Sequence, residues 1–98
     1  MTYGLSEATL QKLQTFFEAQ ACLRSVILFG SRATGRFKPG SDIDLAVIGP
    51  TFEQLLAIRN AADDLYLPYK LDFVLYDTID VPALKEHIDT AGIVLFRP

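Results

Sequence analysis

Four short apolar runs, VILF at 26–29, LAVI at 45–48, FVLY at 73–76 and IVLF at 93–96, pose the folding problem for this chain. Each is too short for a buried helix and is rich in β-branched or aromatic residues, as buried strands are. Extended slightly, they predict strands at 24–29, 42–48, 71–76 and 93–96, with Gly30, Gly49-Pro50 and Gly92 as punctuation. Helical patterns lie between them. Ser6 is placed to cap a helix reaching about Ala21, with Leu10, Leu13, Phe16 and Phe17 on its apolar stripe. Ser31–Gly35 fits a brief helix, and Lys38-Pro39-Gly40 a turn. Thr51 can cap a second long helix that carries Phe52, Leu55, Leu56, Ala62 and Leu65 and fades before Pro68. A last helix runs from Val81 or Pro82 toward Thr90, with proline in its first turn. This order predicts an α/β (α+β) domain spanning 1–98: two layers, with a small mixed sheet of about four strands packed with helices. Strand order is not encoded locally.

At 98 residues, half of them hydrophobic and 21% charged, the chain suits one globular domain with a real core, though so small a domain gains from a partner. A net charge of −3 argues against a broad grip on nucleic acid. No apolar run is long enough to span a bilayer and no secretory h-region is evident, so a cytoplasmic location is expected. Cys22 stands alone, which excludes an internal disulfide and leaves it as a small buried hydrophobe.

Against this background three acids are out of place. Asp42 and Asp44 open one apolar run and Asp72 interrupts another. Side chains at i and i+2 of a strand share a face, so Asp42 and Asp44 point together, and Asp72 joins them if the two strands are neighbours. Crowded carboxylates hold protons unless cations neutralise them, and hard oxygen ligands suit Mg²⁺ or Mn²⁺. Such a metal usually completes its shell with water and substrate phosphate. Gly30 and Ser31, after a strand and before a helical turn, offer backbone donors and a hydroxyl to that phosphate. Arg32, in a stretch from Gly30 to Ser41 that contains Arg36 and Lys38 but no acid, could add charge-assisted bonds. Neither a Walker A loop nor a GxGxxG fingerprint is present. His87 reads as a surface residue, and Tyr66, Tyr69 and Tyr76 as core or rim packing.

Gly30-Ser31, ten residues and Asp42-Ile43-Asp44 together resemble the GS-x10-DxD signature of the polymerase-β-like nucleotidyltransferases, in particular their minimal members found in HEPN/MNT toxin–antitoxin pairs. The resemblance implies metal-binding catalytic roles for Asp42, Asp44 and Asp72 and nucleotide-phosphate binding at Gly30 and Ser31. It also implies ATP as substrate, Mg²⁺ or Mn²⁺ as cofactor, and a small helical HEPN-type partner whose tyrosine receives AMP. A homodimer would meet the need for a partner equally. Two alternatives stay open: an antitoxin that neutralises its partner by contact, and an antibiotic adenylyltransferase.

Overall fold

The computed structural model describes residues 2–97. Its elements are α1 (Glu7–Glu18), β1 (Ser25–Phe29), α2 (Ser31–Thr34), β2 (Ile43–Ile48), α3 (Phe52–Ala62), β3 (Leu71–Leu75), α4 (Pro82–Ala91) and β4 (Ile93–Phe96). Ser6 caps α1 by accepting the Thr9 N–H at 3.2 Å. The helix ends at Glu18, short of the expected Ala21, because the chain turns and the Gln20 side-chain amide donates to the Phe16 carbonyl at 3.2 Å. Thr51 and Gln54 form a reciprocal capping box at the start of α3. Past Ala62 that helix tightens into one 3₁₀ turn, Asp63–Leu65, and Tyr66 halts it in the left-handed region at φ 50°.

The strands form one sheet in the order β3-β2-β1-β4. The central strand β1 is antiparallel to β2 and to β4, while β2 and β3 are parallel and joined across α3. Alternation along β1 sorts the side chains to two faces. Val26 and Leu28 join Leu13, Phe17, Leu45, Val47, Leu55 and Ile58 in the main core under α1 and α3. Ile27 and Phe29 face the other way and pack with Ala46, Val74, Leu84 and Ile88 beneath α4. Helices therefore cover both faces, giving three layers where the sequence predicts two. The signal is present in the sequence, because β1 and β2 are apolar at consecutive positions and so have two faces to bury.

Candidate functional site

Strand register decides which of the anomalous acids meet. In the parallel pair, Asp44 of β2 lies directly opposite Asp72 of β3. In the antiparallel pair, Asp44 lies opposite Phe29, the last residue of β1. Asp44 thus sits on the α4 face, at the level where β1 ends and the chain turns into α2.

That turn is built on Gly30, whose φ of 74° and ψ of −153° belong to a region essentially closed to other residues. A Cβ on Gly30 would overlap Oδ2 of Asp44, so any other residue there would also displace that carboxylate. The Gly30 carbonyl accepts the N–H groups of Ala33 and Thr34, each at 3.2 Å, which anchors α2. Its N–H donates to Nε2 of His87, on α4, at 2.9 Å.

The carboxyl of Asp44 is pushed above its ordinary value, first by burial, then by the negative charges of Asp72 and Asp42; the nearby imidazole of His87 offsets part of this. Asp42 is exposed immediately before β2. Asp72 is 40% exposed, and its Oδ1 stands 3.6 Å from Nζ of Lys70. Among the described residues, no three His, Cys, Asp or Glu side chains close into a ready-made metal cage. Neighbouring acids, one of them half-buried and reluctant to ionise, nevertheless form a donor set of hard oxygens whose mutual repulsion a divalent cation would relieve. The residues therefore fit Mg²⁺ or Mn²⁺.

Arg32 does not join this group, contrary to the expectation that it binds phosphate. It is only 2% exposed. Its Nε and Nη2 donate to the Ser41 carbonyl at 3.1 and 2.8 Å, and its Nη1 donates to the Tyr3 carbonyl at 3.0 Å. A longer contact of 3.5 Å runs from Nη2 to the Pro39 carbonyl. The guanidinium also lies over the rings of Tyr69 and Phe37, 4.8 and 5.3 Å from their centroids. All three of its nitrogens donate to main-chain carbonyls around it, so it ties the N-terminal turn to the loop that delivers Asp42.

His87 was missed as a site residue. Its position between Leu84 and Ile88, both turned toward the sheet, is a sequence signal that the imidazole borders a buried face rather than open solvent. Of the tyrosines, Tyr69 stacks on Arg32, and Tyr76 donates its hydroxyl hydrogen to Asp89 at 2.5 Å. Tyr66 stands outside the core and is 83% exposed.

Two solved structures illustrate the likeness of fold. A toxin–antitoxin crystal structure with AMP-PNP superposes with a TM-score of 0.72 at 22% identity, covering 91% of this chain and 73% of the other. The complex of a tri-AMPylated Shewanella oneidensis HEPN toxin with its MNT antitoxin gives 0.60 at 20% identity, covering 96% and 74%. No curated protein matches the sequence. The polymerase beta nucleotidyltransferase family matches residues 11–98, carboxylates and glycine turn included, and the chain belongs to that family.

Proposed function

We propose that this protein transfers a nucleoside monophosphate, AMP from ATP, to a hydroxyl acceptor, and that the acceptor is a tyrosine of a small helical HEPN-type partner. The observation that carries this reading is the register of Asp44 against Asp72 beside the Gly30 turn. Asp42, Asp44 and Asp72 would hold Mg²⁺ or Mn²⁺, which when bound supplies positive charge against the triphosphate and the departing pyrophosphate. Ser31 and the backbone of its turn receive the β- and γ-phosphates. The acceptor oxygen bonds to the α-phosphorus, the α–β bridging P–O bond breaks, and pyrophosphate departs. Asp72, with a side chain 40% exposed, would take the proton of the arriving hydroxyl or serve only to hold the metal. The toxin–antitoxin setting of the structural neighbours, one with AMP-PNP and one with an AMPylated toxin, supports both donor and acceptor.

The test is incubation with ATP labelled on the α-phosphate, Mg²⁺ and the helical protein encoded next to this one. Label on a partner tyrosine, absent with Asp44→Asn, is the expected result; no transfer to any hydroxyl would end the proposal. A contact antitoxin is the second reading, favoured by the exposed apolar side chains of Phe52, Leu56 and Tyr66. Under it, Asp42→Ala/Asp44→Ala neutralises the partner as well as the wild type does.

A further inference from the structure

The N–H of Gly30, in the turn packed against the Asp44 carboxylate, is already engaged. His87 accepts it through Nε2 at 2.9 Å across 57 residues of sequence. A nitrogen that accepts carries no hydrogen, so the neutral ring is the Nδ1–H tautomer, as the hydrogen bond itself dictates. Edge-on contact with Phe29, 6.2 Å between ring centroids, holds the same ring against the preceding residue of the turn. The two residues that end β1 and open the turn are therefore both gripped by one side chain. His87 rides on a helix that is itself fixed to the sheet through Leu84 and Ile88.

We propose that His87 is a positioning residue for nucleotide binding. It fixes the Gly30 peptide plane so that the glycine stays packed against the Asp44 carboxylate and Ser31 is presented to the phosphates. This assignment rests on the reading that the Gly30–Ser31 turn holds a nucleotide. It also removes the Gly30 N–H from the phosphate donors: those of the turn begin at Ser31. Gly30 needs such a tie because the turn conformation is open to glycine alone, and a glycine peptide without a tether samples several conformations where nucleotide binding requires one.

The test combines a structural and a kinetic reading. In uniformly ¹⁵N-labelled wild type, a scalar coupling across the hydrogen bond between the Gly30 nitrogen and Nε2 of His87 is expected. His87→Leu keeps bulk and loses the acceptor, whereas His87→Gln returns an acceptor oxygen. In His87→Leu the Gly30 amide should exchange with solvent about tenfold faster and the KM for ATP rise about tenfold with kcat little changed, the size of one lost hydrogen bond. His87→Gln should restore most of both. Absence of the coupling, a wild-type KM in His87→Leu, or equal impairment of the two variants would overturn the proposal. If His87→Leu does not fold, the wild-type coupling and the His87→Gln KM decide it. If wild type transfers no nucleotide, the proposed function falls and the positioning role falls with it; the coupling shows separately whether the His87 tie exists.

Discussion

Replacing Arg32 separates the two roles that this side chain can be given. Sequence context offers it to a phosphate, whereas the fold buries it among the carbonyls of Tyr3, Pro39 and Ser41. Hydrogen bonds from a charged donor contribute about 1.5–3 kcal/mol each, and a buried acceptor left without a donor costs about 1–3 kcal/mol. Arg32→Leu removes three bonds of 2.8–3.1 Å. Two of them end on the same Ser41 oxygen, and the loop is open enough for water to recover part of the loss. The net cost is then about 3–4 kcal/mol. For a domain of this size each kcal/mol moves the melting temperature by about 4–8 °C, so Arg32→Leu should melt about 15 °C or more below wild type.

Arg32→Lys keeps the charge and one bond but gives up the fork and the flat contact with Tyr69 and Phe37, at a cost of about 2 kcal/mol. It should remain folded at 25 °C, since total stabilities run to about 5–15 kcal/mol. Thermal and urea denaturation of the three proteins measures both values. Arg32→Leu or Arg32→Lys with wild-type melting but weakened ATP binding would refute the structural role and return the guanidinium to the nucleotide.

Two further expectations test the site and a third the turn that ends α3. The raised carboxyl of Asp44 means that the folded state binds more protons than the unfolded chain between the ordinary carboxylate value and the raised one. Stability from this group is complete at low pH and lost as pH rises through the raised value. In EDTA at pH 7, Asp44→Asn should therefore melt higher than wild type, and Mg²⁺ should raise the wild-type midpoint alone; a lower midpoint for Asp44→Asn contradicts the crowding of charge. Gly30→Ala should cost about 1–3 kcal/mol through its backbone conformation, plus displacement of Asp44. Denaturant curves on Gly30→Ala, Asp44→Ala and the double variant should be non-additive, because Asp44→Ala removes the overlapping oxygen; strict additivity means the two do not touch. Tyr66→Gly relieves the left-handed strain and sacrifices almost no burial, so it should raise stability by about 0.5 kcal/mol in a melting assay. Any loss of stability would show that the ring is packed.

What was legible in the sequence, and what was not, divides by the kind of partner each anomalous group finds. The strands and caps were readable because apolar runs, Ser6 and Thr51 act on their immediate neighbours. Asp42 and Asp44 announce themselves because a carboxylate in an apolar run needs compensation from other side chains or a ligand. That Asp72 would lie opposite Asp44 depended on β2 pairing with β3 across α3, a long-range choice with no local marker. Arg32 and His87 were misplaced for a different reason. Both are satisfied by the main chain, Arg32 by three carbonyls and His87 by one N–H. Every residue carries a carbonyl and nearly every one an N–H, so nothing in the order of side chains says which of them will be left unpaired by the sheet and the turns. Gly30 loses its ladder partner because β1 ends at Phe29, and only the folded arrangement brings α4 to that point. A basic residue beside an acidic site is therefore ambiguous until the unpaired main-chain groups around it have been counted. In this protein that count assigns Arg32 to the carbonyls of Tyr3 and Ser41 and His87 to the N–H of Gly30.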